Sequence, residues 1–225
     1  MLHRLAERVR ACADEFAYLD ALNCGNPIRE MARDALSAAA QMDYYAGLVR
    51  ELKGETLPLG DGAINYSVRE PLGVVARIVA YNHPLMFLAG KLAPALAAGN
   101  TVILKPAEQT PLTAVLLAEV IAEAGVPAGV FNLLTGFGDV GAALSAHDGV
   151  DKVAFTGSTE VGKKIVNAAS GNLKKVSLEL GGKSPQVVFA DADLEAAIPG
   201  VASGFLFNHG QTCTAGTRLL VEDAI

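Results

Sequence analysis

The sequence predicts an α/β protein: a Rossmann-like, mostly parallel sheet with flanking helices, followed by the start of a second α/β unit. Three observations predict it. From Gly73 onward, short β-rich runs recur at Val74–Ala80, Thr101–Leu104, Val130–Leu134, Lys152–Phe155 and Val176–Leu180. Helical stretches lie between them, near 85–98, 111–124, 138–145 and 159–169. Each strand–helix unit takes roughly 20–30 residues, enough for the right-handed crossovers that put helices on both faces of a parallel sheet. Third, the residues least expected in a core fall just after the runs, at the carboxyl ends of the strands, where such sheets bind ligands.

The N-terminal segment reads as scaffold. Leu2, Leu5, Val9, Cys12, Phe16 and Leu19 recur at spacings of three and four and form the apolar stripe of one amphipathic helix over 2–19. Asn26-Pro27 offers a cap and a first-turn proline for a second helix. Its apolar positions are Ile28, Met31, Ala35, Ala39, Met42 and Leu48, with Gly54 at its end. Residues 54–71 turn to Gly, Pro, Asn and Asp around a β-like run at Ala63–Val68, the pattern of a hairpin or connection. Beyond the five runs, Ser184–Phe189 reads as a strand and Asp191 or Asp193 as a helix cap. Leu194–Phe207 reads as a helix interrupted at Pro199-Gly200, and Leu219–Val221 as a further strand.

Composition narrows the function classes. The 225 residues are 51% apolar and 19% charged, enough for a sizeable core and unlike a disordered chain. A net charge of −6 without a basic run gives no reason to expect nucleic acid or anionic membrane as a partner. No uncharged apolar run reaches the roughly 18–20 residues of a membrane span, and residues 1–20 do not form a secretory signal. The 3 cysteines, Cys12, Cys24 and Cys213, are far apart and include no Cys-x-x-Cys. That argues against a disulfide frame or a metal site and fits the cytoplasm.

Cys213 stands apart from the other two. It lies in small, polar, glycine-flanked surroundings, Asn208 to Arg218, where a substrate could reach a thiol. Cys12 sits on the helical stripe and reads as packing. Glu179 interrupts an apolar strand and is therefore either desolvated and functional or paired with a group the sequence does not reveal. Asn82 follows the first run, where it either caps the next helix or serves a site. Lys105 and Glu108 follow the second run and are either a solvated pair or a ligand grip. The turn Gly157-Ser158 opens a helix and offers backbone N–H groups to an anion, although Gly157 to Gly162 is not the G-x-G-x-x-G pattern.

Taken together, EPLGVVARIVAYNHP, GNTVILKPAEQTPLTA, VDKVAFTGSTEVG, VSLELGGKSP and FNHGQTCTAGTR, in this order, resemble the aldehyde dehydrogenase superfamily. The resemblance implies a nucleophile at Cys213, a general base at Glu179, and an oxyanion donor at Asn82 beside the Cys213 N–H. It implies that Lys105 and Glu108 grip the adenosine ribose, that Gly157 and Ser158 form the phosphate-side turn, and that Gly136 and Gly138 line the adenine end. Val79, Ala80, Tyr81, Phe155, Leu180 and Gly181 complete the implied cofactor surface. The implied reaction is oxidation of a small-molecule aldehyde to a free acid through a cysteine thiohemiacetal and thioester. Coenzyme A-acylating relatives generally lack a glutamate at the Glu179 position. Glu108 favours NAD, with NADP also within the family's range.

The resemblance divides the chain into an NAD-binding domain over 1–53 and 72–181, part of an oligomerisation hairpin over 54–71, and the start of a catalytic domain over 182–225. It implies a homodimer or homotetramer. Two departures stand out: Tyr81 and His83 occupy positions where many members have Trp and Phe, which points to an altered substrate tunnel. The chain also has about half the family's length, so a partial chain is expected, and a nucleotide-binding fragment or pseudoenzyme without turnover is the alternative reading.

Overall fold

The structure, a computed structural model, describes residues 1–225. The predicted first helix is two helices, α1 (Leu2–Ala11) and α2 (Ala13–Cys24), broken at Cys12. The break re-aims the buried face, from Leu2, Leu5 and Val9 in α1 to Phe16, Ala17 and Asp20 in α2. Gly25 closes α2 in the left-handed region at φ 78°. Helix α3 (Ile28–Leu48) follows and ends in a short 3₁₀ turn, Val49–Glu51, ahead of Gly54. Asn26 does not cap it: its side-chain amide donates to the Asn82 carbonyl at 2.6 Å. Strands β1 (Thr56–Pro58) and β2 (Ile64–Tyr66) form an antiparallel, exposed hairpin.

The expected sheet is present. β3 (Val74–Ile78), β4 (Thr101–Lys105), β5 (Phe131–Leu133), β6 (Lys152–Gly157) and β7 (Lys175–Leu180) pair in parallel in the order β5-β4-β3-β6-β7. The first strand of the sheet therefore lies beside the fourth, and the chain reverses its direction of travel between β3 and β6. That reversal opens a crevice at the carboxyl ends of those two strands.

Alternation along β3 fills both faces. Val75 and Val79 point into a large core with Leu5, Val9 and Phe16 of the N-terminal helices, Leu88 and Leu92, and Leu117 and Ile121 of α5 (Leu112–Glu123). Ala76 and Ile78 point the other way, into a smaller core with Val153, Phe155, Leu144 of α6 (Gly138–Ala146) and Ile165 of α7 (Thr159–Ala169). A π-helical turn, Met86–Gly90, runs into α4 (Lys91–Ala97) and joins the crevice to the first core.

Past β7, β8 (Pro185–Val188) pairs in parallel with β9 (Arg218–Val221), with α8 (Leu194–Leu206) between them. The predicted interruption at Pro199-Gly200 is absent, since α8 runs through Pro199. A proline there forfeits the bond to the Glu195 carbonyl. The Asp193 side chain compensates at the helix start, where it accepts from the N–H groups of Glu195 at 3.1 Å and Ala196 at 3.4 Å.

Candidate active site

A cavity of about 750 Å³ occupies the crevice between β3 and β6. The end of β3 delivers Val79, Ala80, Tyr81 and Asn82 to it, β6 delivers Phe155, Gly157 and Ser158, and β7 delivers Glu179, Leu180 and Gly181. Lys105, Glu108, Gly138 and Cys213 complete the meeting of sequence-predicted residues around the cavity. Gly136 is the exception. It lies outside the lining and, at φ 147°, makes the turn into α6, where a Cβ would come 2.5 Å from Val140 Cγ2.

At one end, Lys105 is buried at the foot of its strand, its ammonium donating to the Pro106 carbonyl at 3.1 Å and lying 3.6 Å from the Glu108 carboxylate. Glu108 is only partly covered, so its oxygens remain open to the cavity. Ser158 caps α7, its Oγ accepting from Val161 N–H at 3.3 Å. The first N–H groups of α7, at Thr159 and Glu160, have no intramolecular acceptor and carry the partial positive charge of the helix start. Gly157 is required by close packing, because a Cβ there would sit 2.4 Å from the Phe155 ring.

At the other end lies the thiol. Cys213 is exposed, whereas Cys12 and Cys24 are half-buried. Burial pushes the Cys24 thiol above its usual range, which makes it the poorer nucleophile. The Cys213 backbone is pressed against the β7 exit, where a Cβ on Gly182 would come 2.9 Å from the Cys213 carbonyl oxygen. Asn82 does not cap the helix that follows it. Its Nδ2 donates to the Gln211 carbonyl at 2.7 Å, two residues before the cysteine, and leaves the second amide hydrogen unused. The Cys213 N–H has no acceptor within the chain.

Of the two readings open for Glu179, the structure realises the paired one. Its side chain is 64% exposed and not desolvated, because the β7 edge carries no helix on that face. The unseen partner is Lys91, whose ammonium lies 3.6 Å from Glu179 Oε1. Its signal was in the sequence, as the one charge in the apolar run of 85–98. Behind Glu179, a second cavity of about 400 Å³ is shared by Lys91, Glu179 and Arg77. Arg77 is buried, donates to Thr156 Oγ1 at 2.9 Å and leaves its Nε without an acceptor. Burial lowers its pKa to about 10, partly opposed by the field of Glu179, so it remains charged at neutral pH.

His83 also differs from expectation. It is 3% exposed and lines neither cavity, having turned toward the N-terminal helices; of the two departures only Tyr81 faces the crevice. The helices read as scaffold reach this site. Asp34 Oδ2 of α3 lies 2.6 Å from His83 Nδ1, and Asp20 Oδ2 of α2 accepts from Leu85 N–H at 3.1 Å.

Sheet order, crevice and exposed thiol together define a nucleotide-binding α/β protein with a reactive cysteine at the far end of its cofactor cleft. The chain belongs to the aldehyde dehydrogenase family, whose model matches residues 1–225. It is 48% identical to retinal dehydrogenase 2 of Gallus gallus over 228 residues, covering 100% of this chain and 44% of that one. It is also 48% identical to an aldehyde dehydrogenase of Aspergillus niger over 227 residues, covering 100% and 46%. Among solved structures it resembles PnpE in complex with nicotinamide adenine dinucleotide, with a TM-score of 0.96 and 46% identity over 99% of this chain and 46% of that one. The NAD+ complex of an aldehyde dehydrogenase from Bacillus cereus gives 0.96 and 44%, over 99% and 46%. The chain thus spans less than half the length of these relatives.

Proposed function

We propose that the protein oxidises an aldehyde to a carboxylic acid, with NAD as oxidant and Cys213 as covalent nucleophile. One observation carries the reading: a single cavity joins a nucleotide-type end at Lys105, Glu108 and the α7 start to a thiol end at Cys213, Asn82 and Glu179. The residues fit the cofactor. The carboxylate of Glu108 would accept from ribose hydroxyls and repel a 2′-phosphate, and the free N–H groups of α7 would meet the pyrophosphate.

In the reaction, the Cys213 thiolate adds to the aldehyde carbon and forms a thiohemiacetal. Its oxyanion takes hydrogen bonds from the Cys213 N–H and the unused Asn82 hydrogen, each such donor being worth about 3–4 kcal/mol. NAD, when bound, supplies the acceptor for the hydride that leaves that carbon. The resulting acyl-cysteine is cleaved by water. Glu179, exposed to solvent and held by Lys91, removes the water proton as the oxygen attacks, and the thiol is released with the acid. Along the chain, we assign cofactor binding to 1–53 and 72–181, read 54–71 as part of an oligomerisation hairpin of a homodimer or homotetramer, and take 182–225 as the beginning of a catalytic unit.

The test is to map the covalent intermediate. With Glu179→Gln, an aldehyde and NAD, peptide mass spectrometry is expected to find the acyl mass on Cys213. An acyl mass on Cys12 or Cys24, or none on any cysteine while NADH forms, contradicts the proposal.

A further inference from the structure

Beneath the thiol end lies a buried polar network that the proposed chemistry does not use. The Asn82 carbonyl accepts from two side-chain amides, Asn26 Nδ2 at 2.6 Å and Asn208 Nδ2 at 2.8 Å. Asn208 Nδ2 also lies 3.4 Å from His83 Nε2. His83 Nδ1 is 2.6 Å from Asp34 Oδ2. The imidazole is clamped between aromatic rings, stacked on Phe207 at 5.9 Å and edge-on to Phe87 at 5.7 Å.

The loop that this network holds is strained. Asn208 and His209 have φ values of 50° and 60°, and Gly210 follows at 73°, so three consecutive residues before the cysteine turn are left-handed. For residues other than glycine that conformation is disfavoured and persists only where the surroundings impose it. Asn208 is 1% exposed, and its side-chain amide is the link between this loop and the Asn82 carbonyl.

The proton positions follow from the geometry. The Asn208 amide cannot flip, because its Oδ1 would then face the Asn82 carbonyl, acceptor against acceptor. Its NH2 therefore points at both the Asn82 oxygen and His83 Nε2, and Nε2 must accept. The ring proton then sits on Nδ1 and donates to Asp34. A proton on Nε2 would set N–H against NH2 and break the contact.

We propose that His83 is a positioning residue: held by Asp34 as the Nδ1–H tautomer, it fixes the Asn208 amide and so docks the Cys213 loop onto Asn82. The inference rests on the reading of Asn82 and Cys213 as catalytic partners. It acts through Asn208 and touches neither substrate nor cofactor.

Two measurements test it. The first needs no activity. Long-range ¹H–¹⁵N spectra of the 4 histidines, with His83 assigned by its loss in His83→Phe, are expected to show the His83 ring proton on Nδ1 and Nε2 bare. A proton on Nε2 overturns the proposal. The second compares His83→Phe, which keeps the ring stack and removes both nitrogens, with His83→Gln, whose planar amide restores one donor and one acceptor. Since displacement of a reacting group by about 1 Å can cost 10²-fold, Phe is expected to slow the first-turnover NADH burst by about 10–100-fold, with the KM for NAD unchanged. Gln is expected to restore most of the rate. Equal burst rates in wild type and Phe, or a Phe defect confined to burst amplitude and thermal stability, overturn it. Absence of an acyl mass on Cys213 in Glu179→Gln would contradict the proposed function instead, leaving the tautomer measurement to decide on His83.

Discussion

Single residues in the crevice differ in how far their neighbours had to be known before their roles could be read. Lys105 and Glu108 are three apart at the end of a strand, a spacing that left a solvated pair and a ligand grip both open, and the structure places them 3.6 Å apart with Lys105 buried. On the proposed reading, cofactor choice turns on the sign of charge at that point. Glu108→Gln removes the repulsion of a ribose 2′-phosphate, so the ratio of kcat/KM for NAD to that for NADP is expected to fall by roughly tenfold or more, of the order of 1.4 kcal/mol. Steady-state rates with both cofactors measure it, and a wild-type enzyme that already prefers NADP contradicts the assignment. Glu179 and Asn82 were legible as chemically unusual residues, but their settings were not. Whether a strand carboxylate is buried depends on which helix covers its sheet face, and whether an asparagine caps a helix or bonds a loop depends on a carbonyl 129 positions away.

At the scale of elements, the N-terminal helices do more than cover the sheet. Their apolar stripes were plain from periodicity, and the buried polar residues between the stripes were not read as meaningful. Asp20 of α2 illustrates why they matter. It receives hydrogen bonds from the Thr113 hydroxyl of α5 and from Leu85 N–H, tying two helices to the turn after Asn82. Burial is the main cause that raises its pKa from 3.8 to about 6. The folded state thus holds the proton more tightly than the unfolded chain does. The stability this contributes is complete below about pH 3.8 and is lost as pH rises through about 6. Asp20→Asn imitates the protonated form at every pH. It is therefore expected to be more stable than wild type by roughly 1–3 kcal/mol at pH 7.5, with the gap closing as pH falls toward 4.5. Urea unfolding at the two pH values measures this, and a gap independent of pH would contradict it.

For the whole molecule, the alternation of runs and helices made the parallel sheet legible, and the order of strands then placed the crevice. What the sequence left unread is three-dimensional. It does not reveal that Lys91 leans toward Glu179, that Arg77 lies buried behind it, or that His83 turns from the crevice toward Asp34. Each depends on contacts between segments far apart in the chain, which periodicity does not encode. No helix is long and apolar enough to cross a membrane. The central claim is that one crevice carries out two chemically separate steps, acylation of Cys213 assisted by Asn82 and deacylation assisted by Glu179. Stopped-flow NADH fluorescence on Glu179→Gln and Asn82→Ala tests it most directly. Glu179→Gln is expected to keep a burst near one NADH per active site while steady-state turnover falls by about 10²–10⁴, and Asn82→Ala is expected to lose the burst. Unchanged turnover in Glu179→Gln, or an intact fast burst in Asn82→Ala, would contradict the account.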